Sequence, residues 1–219
     1  MQPSPPSPHD VVQADFIASA ADDASMPGPT IAEVAFGGRS NVGKSSMLNA
    51  LMQRRGLVRT SSTPGCTRAI NLFFARTRGG LGLHLVDLPG YGFARRSKDE
   101  RALWGTLIEH YVLTRATLRA LVVIVDARRG LEDDDRQLIE FCAQPRPGNA
   151  PMATIVVATK LDMLPKAKRK PVLAAVRATV RIPVIGFAAP SGEGREDVWR
   201  AIDRAVLGAP GAQAESSST

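Results

Sequence analysis

The sequence predicts an α/β fold in which a mixed, mostly parallel β-sheet is covered by helices on both faces. Short apolar runs alternate with segments of helical spacing along most of the 219-residue chain, and this alternation is typical of strand–helix–strand units. The runs 120–125 and 152–158 are predominantly apolar, as expected for parallel strands that are buried on both faces. Two further runs flank a turn at residues 78–80, which predicts one hairpin and therefore a mixed sheet.

The first half of the chain is expected to contain three strands and two helices. The apolar run 31–36 leads into a glycine-rich turn, and the segment 44–53 that follows has helical spacing of its apolar residues. The runs 70–75 and 81–86 are the two strands of the hairpin, and residues 99–118 have the pattern of a helix.

The second half continues the alternation. The predicted strands are 120–125, 153–158 and 184–187, and the predicted helices are 133–143, 166–180 and 194–207. Pro171 leaves the start of the helix 166–180 open, because a proline inside a helix removes a hydrogen bond. In such sheets, ligands bind in the loops beyond the carboxyl ends of the strands, so the motifs of interest are those that directly follow a strand.

One domain, residues 30–207, is expected between two tails. Residues 1–29 are rich in Pro, Ser, Ala and Asp, a composition that predicts a mostly disordered segment; its apolar patch 16–18 is a candidate for an added edge strand. Residues 208–219 are expected to form a second disordered tail.

Composition excludes several classes of protein. No apolar run is long enough to span a bilayer, and the amino-terminal residues lack the features of a secretory signal, so a cytoplasmic protein without a membrane partner is expected. Cys66 and Cys142 form no ligand cluster. The net charge of +7 favours an anionic partner such as RNA, although a solvated basic surface is an equally good interpretation.

The first motif is Gly38-Arg39-Ser40-Asn41-Val42-Gly43-Lys44-Ser45, between a predicted strand and a predicted helix. It fits the phosphate-binding loop GxxxxGK[ST], in which backbone N–H groups cradle phosphates. In this loop the lysine reaches the β- and γ-phosphates and the serine hydroxyl binds Mg²⁺. A plain glycine-rich turn is the alternative, but the strand before and the helix after favour the nucleotide site.

Two further motifs also follow strands. Asp87-Leu88-Pro89-Gly90 can hold a Mg²⁺-bound water through its carboxylate and contact a γ-phosphate through the glycine N–H, although the same residues also suit an ordinary turn. Thr159-Lys160-Leu161-Asp162 fits [NT]KxD, whose aspartate accepts hydrogen bonds from guanine and rejects adenine. A capped helix start is the alternative for this second motif.

Two weaker segments complete the pattern. Residues 60–67 form a polar segment with Gly and Pro that could close over Mg²⁺ through Thr63 or Thr67, or could be a mere connector. Residues 187–192, after the last strand, contain small residues that would let backbone N–H groups approach guanine.

Together, the stretches GRSNVGKSS, TPGCT, DLPGYGFA and TKLD resemble the EngB (YihA/YsxC) family of small bacterial GTPases of the TRAFAC class. The resemblance extends over most of residues 30–207. It includes Trp104, Tyr111 and Arg115 on the helix after the second motif, and the step Asp126-Ala-Arg128 after the buried strand.

The resemblance implies a Ras-like P-loop G domain that binds GTP and GDP. It implies that Lys44, Asn41 and Gly90 are the catalytic residues and that Ser45, Thr67 and Asp87 bind Mg²⁺, which selects Thr67 over Thr63. The implied nucleotide-contacting residues are Gly38, Arg39, Ser40, Asn41, Val42, Gly43, Lys44, Ser45, Gly65, Cys66, Thr67, Arg68, Ala69, Asp87, Leu88, Pro89, Gly90, Thr159, Lys160, Leu161, Asp162, Phe187, Ala188 and Ala189.

Two residues set this chain apart from many GTPases. Ala188 stands where a serine is common, which removes a hydroxyl near guanine. Tyr91 stands where Ras-like enzymes carry the water-positioning glutamine, which implies slow intrinsic hydrolysis. In related GTPases an asparagine at the position of Asn41 helps to hold K⁺, and we hypothesise the same here.

The expected function is therefore that of a slow GTPase switch in assembly of the large ribosomal subunit, with an rRNA-containing precursor as partner and a link to cell division and septation. A monomer is the default expectation. The alternatives are a P-loop ATPase or nucleotide kinase, which the TKLD motif opposes, and an RNA-binding module that uses GTP only as a ligand.

Overall fold

Seven strands form one sheet in the computed structural model of the chain, which describes residues 5–58, 69–91 and 98–208. The strands are β1 (Val11–Ala20), β2 (Glu33–Gly38), β3 (Ile70–Thr77), β4 (Gly82–Asp87), β5 (Leu118–Asp126), β6 (Ala153–Thr159) and β7 (Val184–Gly186). The helices are α1 (Lys44–Leu51), α2 (Lys98–Thr114), α3 (Asp133–Cys142), α4 (Lys166–Val180) and α5 (Arg195–Leu207), with a short 3₁₀ turn at Leu161–Met163.

The strand order across the sheet is β1-β3-β4-β2-β5-β6-β7. Strand β2 pairs in parallel with β4 and β5, and the pairs β5/β6 and β6/β7 are also parallel. The hairpin β3/β4 and the pair β1/β3 are antiparallel, which confirms the predicted mixed, mostly parallel sheet. Strands β2, β4, β5, β6 and β7 therefore end at one edge, which is where the motifs begin.

Two apolar cores lie on the two faces of the sheet, because alternate residues of each strand point to opposite sides. Helices α1 and α5 cover one face and are joined by a hydrogen bond that Trp199 Nε1 donates to Leu51 O at 3.2 Å. Helices α2, α3 and α4 cover the other face through buried residues that include Ile108, Cys142 and Val176. No helix in the described ranges has both the length and the apolar character needed to cross a membrane.

Strand β1 corrects the prediction that residues 1–29 are mostly disordered. Its ten residues pair with β3 from Val11–Thr77 to Ala20–Ile70. The strand was underpredicted because its outer face is exposed, with Phe16 52% accessible, and because its hydrogen bonds are to a strand about 60 positions away. The predicted disorder of residues 1–4 and 209–219 concerns residues outside the described ranges.

Candidate functional site

The phosphate-binding loop links the end of β2 to the start of α1. All six residues of β2 are buried, so the loop starts from a fixed point in the core. A Cβ on Gly38 would lie 2.9 Å from Val42 Cγ1 and 3.0 Å from Ile124 O, which leaves no room for a side chain. Gly43 caps α1 with a φ of 101°, a left-handed conformation that favours glycine. The two glycines of the motif are thus required by packing and by backbone geometry.

Lys44 and Asp87 meet at the floor of this loop. The Lys44 Nζ contacts Asp87 Oδ1, and the two residues are only 8% and 2% exposed. Each charge offsets the other in a poorly solvated place, where an unpaired charge would be costly. The first two motifs, 43 positions apart, therefore form one charged centre.

The Asp87–Gly90 loop runs against the phosphate-binding loop. Tyr91 N donates to Gly38 O at 3.3 Å, and Ser40 N donates to Tyr91 O at 3.1 Å. A Cβ on Gly90 would lie 3.0 Å from Ser40 Oγ, so this close approach of the two loops favours glycine. The backbone of the second motif is thereby held beside the backbone of the first.

The Tyr91 side chain is buried and points at α3. Its hydroxyl donates to Asp135 Oδ1 at 2.8 Å. Burial and the nearby Asp135 raise the pKa of Tyr91 far above its usual range, so the phenol keeps the proton that it donates. Arg39 contacts Glu132 at the start of the same helix. The start of α3 thus contacts Arg39 from the phosphate-binding loop and Tyr91 from the end of the Asp87–Gly90 loop.

Lys160 connects the guanine-reading motif to the phosphate-binding loop. It has a left-handed backbone, with a φ of 58°, and its Nζ contacts Asn41 O. The hydroxyl of Thr159 lies 2.5 Å from Val42 O and 3.0 Å from Val125 O. Thr159 therefore fastens the phosphate-binding loop to the end of β6, a role that the sequence motif did not reveal.

Asp126, at the end of β5, orders the Lys160 side chain from the other side. Its Oδ2 lies 3.0 Å from Lys160 Nζ, and Arg128 donates to both carboxylate oxygens, at 3.0 and 2.7 Å. Burial opposes ionisation of Asp126, but the hydrogen bonds from Arg128 and Lys160 hold the pKa of its carboxyl well below the usual range. The sequence offered one signal for this site, a polar step directly after a buried strand.

The two loops on the guanine side are bonded to each other. Leu161 N donates to Phe187 O at 3.1 Å, and Phe187 N donates to Ala158 O at 2.8 Å. Gly194 closes the second loop with a φ of 84°, where a Cβ would lie 2.0 Å from Gly186 O. The side chains of Leu161, Phe187 and Ala188 are buried, and their backbone N–H groups donate to carbonyl oxygens of these loops and of β6, so these residues hold the two loops in place.

The loops enclose an open cleft of about 820 Å³. The exposed Asp162 lies on its wall, as do Gly43 of the phosphate-binding loop and residues of α1. Its lining includes Gly43, Thr159, Lys160, Asp162, Phe187 and Ala189. The structure therefore brings the guanine-reading residues together with the phosphate-binding loop, as the order of the motifs indicated.

Some predicted site residues lie outside the described ranges. These are Gly65, Cys66, Thr67 and Arg68, together with the alternative Thr63, so the choice of the switch threonine stays a prediction. Ala69 is described and half-buried, immediately before β3. Trp104 lies in α2 at a position where only the backbone is described. Tyr111 and Arg115 lie in a buried cluster with Glu33, remote from the nucleotide loops along β2.

The donor set at the phosphate end fits Mg²⁺. This ion favours hard oxygen ligands and is held through one or two carboxylates, substrate phosphates and water. The Asp87 carboxylate and the half-buried Ser45 beside Lys44 provide such oxygens. Among the described residues there is no group of three or more His, Cys, Asp or Glu that could hold a metal by itself, so a metal here would also need ligands from the nucleotide or from water.

Comparisons with known proteins agree with this geometry. The profile of the family described as 50S ribosome-binding GTPase matches residues 33–160, a span that starts at β2 and ends within the guanine-reading motif. A crystal structure of a probable GTP-binding protein EngB superposes with a TM-score of 0.62 at 23% identity, covering 81% of this chain and 100% of that one. The Era protein of Aquifex aeolicus, solved bound to GDP·AlF₄⁻, superposes with a TM-score of 0.66 at 20% identity and shares the fold over 80% of this chain and 57% of its own.

Curated relatives are more similar in sequence. The probable GTP-binding protein EngB of Geobacillus sp. is 41% identical over 198 residues, which cover 89% of this chain and 98% of the relative. That of Bacillus thuringiensis is 40% identical over 198 residues, 89% of this chain and 96% of the relative. The ATPase and nucleotide-kinase alternative is thereby set aside. The chain belongs to the EngB family of GTP-binding proteins, and it is a GTPase with the G-domain fold.

Proposed function

We propose that this GTPase is a Mg²⁺-dependent switch that acts on the rRNA-containing precursor of the large ribosomal subunit during its assembly. The observation that carries the proposal is the match of residues 33–160 to the 50S ribosome-binding GTPase family, on a chain whose nucleotide motifs converge at one edge of the sheet. Growing cells would need the switch for subunit assembly and, as a consequence, for normal division and septation.

The chain's own residues suffice to bind and orient the nucleotide. Lys44 and the backbone N–H groups of residues 43–45 would hold the phosphates, because the end of the loop and the start of α1 direct N–H groups at the same place. Asp162 would accept hydrogen bonds from guanine, while Lys160 would lie along the base, held by Asn41 O and Asp126. Catalysis would come mainly from this positioning and from electrostatic stabilisation.

Ser45, Asp87 and Thr67 would hold Mg²⁺. Bound there, the ion would supply a positive charge that stabilises the negative charge developing on the phosphates during hydrolysis. The γ-phosphate would order the segment that carries Thr67 and the loop Asp87–Gly90, and loss of that phosphate would release both. The two loops would thus present a partner-binding surface only in the GTP state.

Hydrolysis by the isolated chain is expected to be slow. Tyr91 stands in place of the water-positioning glutamine, and its hydroxyl is engaged with Asp135 at 2.8 Å. Unlike glutamine, the tyrosine side chain has no carbonyl oxygen that could orient an attacking water molecule. The exposed Asn41, with a φ of 63°, would instead hold K⁺ near the transferred phosphate. Hydrolysis should then be several-fold faster in KCl than in NaCl at equal ionic strength, and equal rates would refute the role of K⁺.

A competition titration tests the guanine site. A fluorescent GDP analogue should be displaced from the chain by GDP and GTP and left in place by ATP. Asp162→Asn should lose the preference for guanine, and Lys44→Ala should lose multiple-turnover phosphate release. If ATP competed as well as GTP, Thr159–Asp162 would be no more than a helix start.

Co-sedimentation tests the ribosomal partner. The chain with a non-hydrolysable GTP analogue should sediment with purified bacterial large subunits, and the GDP-bound chain should remain largely in the supernatant. Cells depleted of the protein should accumulate incomplete large subunits on sucrose gradients. Equal sedimentation in both nucleotide states would argue that the chain is an RNA-binding module that uses GTP only as a ligand.

A further inference from the structure

Most of the chain's net positive charge comes from one segment. The segment 163–192, which contains α4, has six Lys and Arg residues and no Asp or Glu, whereas the whole chain has a net charge of +7. The rest of the molecule is therefore close to neutral. A charge imbalance of this kind marks a surface that attracts polyanions.

Five of these cations make up what we call the α4 basic face: Lys166, Lys170, Arg177 and Arg181, whose spacing places them on one flank of the helix, and Lys168 on the other flank. All five are exposed. Within the described ranges none of them forms an ion pair with a carboxylate, whereas Arg169 pairs with Glu193 at 3.0 Å. The five charges are thus available to an external anion.

The position of α4 fixes the direction of this face. The apolar side of the helix packs on the sheet through Val176, with Leu173 and Val180 partly buried beside it. Helix α4 lies next to β7, the edge strand of the sheet, so its opposite side faces solvent. Since the apolar side is occupied by the protein core, a partner can meet only the solvent-exposed sides of the helix, which carry these cations.

We propose that the α4 basic face is the surface through which this GTPase binds the phosphate backbone of RNA. The proposal rests on the proposed function, which supplies an rRNA-containing partner. RNA is favoured over a lipid surface because none of the fifteen residues of α4 is an exposed large hydrophobic side chain, and interfacial helices insert such side chains. Lysines on a rigid helix suit phosphate contacts that position a protein without reading base sequence.

The helix is also joined to the guanine-reading loops, which determines the choice of variant. Arg169 Nε donates to Leu164 O at 3.1 Å, and the Arg169–Glu193 pair reaches the loop after β7. Arg169 must therefore be left unchanged, so that loss of RNA binding is not confused with damage to the nucleotide site. The test variant is Lys166→Gln, Lys168→Gln, Lys170→Gln and Arg177→Gln combined.

The matched control removes the same amount of charge elsewhere. Arg76, Arg136, Arg200 and Arg204 are exposed and lie on β3, α3 and α5; the control variant changes all four to Gln. Binding of protein-free large-subunit rRNA to the full chain, loaded with a non-hydrolysable GTP analogue, is measured by filter retention at several KCl concentrations. Affinity for GDP, measured on each variant, should be unchanged and so reports a correctly folded nucleotide site.

The α4 variant should bind rRNA at least about tenfold more weakly near 0.15 M KCl. The slope of log Kd against log salt should fall by about 3 to 4, since each lost phosphate contact lowers it by about one. The control variant should retain most of the affinity and most of the slope. Equal losses in the two variants would assign binding to net charge, and an unaffected α4 variant would place the RNA elsewhere; either result overturns the inference while the proposed function stands.

Two further probes separate the remaining outcomes. Binding to intact large subunits without binding to protein-free rRNA would assign docking to a ribosomal protein, and binding only to vesicles of anionic phospholipid would assign it to a membrane; both overturn the inference. If the wild-type chain bound neither subunits nor rRNA, the proposed ribosomal function itself would fail.

Discussion

At the scale of single residues, the least expected contributor to the site is Asp126. Its carboxylate lies between Arg128 and Lys160, and Lys160 also contacts Asn41 O. A lysine side chain has several rotatable bonds and loses conformational entropy when it is fixed against a ligand. Partners on two sides of its ammonium group fix it beforehand, which reduces the entropy lost when guanine binds. We therefore regard Asp126 as a positioning residue for Lys160.

Asp126→Asn should weaken GDP binding about fivefold, which corresponds to about 1 kcal/mol for a partly exposed charged pair. The change keeps the shape of the side chain and removes the charge that holds Lys160. Titration with a fluorescent GDP analogue measures the effect, and Asp133→Asn, whose side chain is 97% exposed, is the charge-matched control. Unchanged affinity in the Asp126 variant would show that Lys160 is positioned by the loop alone.

Sequence motifs located the site because its chemistry depends on local spacing. Gly38, Gly43, Lys44 and Ser45 are close in the chain, and the loop geometry that they specify is the geometry that the structure has. The contacts of Asp126, Thr159 and Tyr91 depend on residues up to 117 positions away. No local pattern encodes such pairs, so their roles could not be read without the fold.

At the scale of elements, a buried ion pair fastens Arg115, the residue that follows α2, to the sheet. Glu33, the first residue of β2, is 0% exposed and accepts hydrogen bonds from Arg115 at 2.7 to 3.0 Å and from the Tyr111 hydroxyl at 2.7 Å. Burial opposes ionisation of Glu33, yet contacts with His84, Arg115 and Tyr111 lower its pKa from 4.5 to about 2. The Arg115 partner therefore keeps the Glu33 carboxylate charged at a place that water does not reach.

Arg115→Met should lower the free energy of unfolding at neutral pH by about 3 to 5 kcal/mol, because it leaves a buried carboxylate without its partner. In the wild type, the depressed pKa means that the contribution of Glu33 is present above pH 4.5 and is lost as pH falls towards about 2. The difference between wild type and variant should thus shrink on acidification. Urea unfolding of both proteins between about pH 7 and pH 2 measures the difference in the free energy of unfolding. A difference that stays constant with pH would contradict this role of Glu33.

Arg119→Met is the control for that measurement. Arg119 is half-buried and donates to Ala116 O at 2.7 Å, with no carboxylate at hydrogen-bond distance among the described residues. Its replacement should cost about 1 kcal/mol or less and should leave the pH dependence unchanged.

A second element-scale contact ties the segment before β1 to α5. His9 lies 2.8 Å from Glu196 and 2.7 Å from Asp203, and Arg200 of the same helix lies 3.5 Å from Glu196. Burial alone would lower the pKa of His9, but the hydrogen bonds to Asp203 and Glu196 raise it above its ordinary value. The histidine therefore stabilises the docked segment when it is protonated.

The docked segment should loosen as pH rises. A raised pKa means that the stabilisation is fully present below about pH 6.5 and is lost as pH rises through the folded-state pKa. Amide exchange in β1, corrected for its intrinsic pH dependence and compared with β5, should show protection that falls as pH rises above about 6.5. His9→Gln should abolish the trend; a trend that persisted in this variant would assign it to another group.

The edge strand also shows where prediction from sequence fails at this scale. The predicted helix 166–180, whose start Pro171 left open, is observed as Lys166–Val180 with Pro171 inside it. Strand β1 has a weak pattern and depends on pairing with β3 and on the contacts of His9 and Asp10 with α5. Its composition resembles that of a disordered tail, so the apolar patch 16–18 indicated an edge strand but not its length of ten residues, which depends on non-local partners.

At the scale of the whole molecule, the site is a property of the complete sheet. Its parts follow the carboxyl ends of β2, β4, β5, β6 and β7, and both cores support those strands. A ligand that binds this arrangement binds only the folded chain. Nucleotide binding and global stability are therefore linked by mass action.

GDP at a hundred times its Kd should stabilise the fold by about 2.7 kcal/mol, which for a chain of this size raises Tm by about 5 to 10 °C. ADP at the same concentration should leave Tm unchanged, because the proposed role of Asp162 is to discriminate against adenine. Asp162→Asn should lose most of the shift with GDP, whereas Asp197→Asn, an exposed carboxylate on α5, should keep it. Differential scanning calorimetry measures these shifts. A single unfolding transition that moves as a whole is expected for a site built on the entire sheet. A shift confined to one part of a split transition would mean that the phosphate and guanine halves of the site unfold independently.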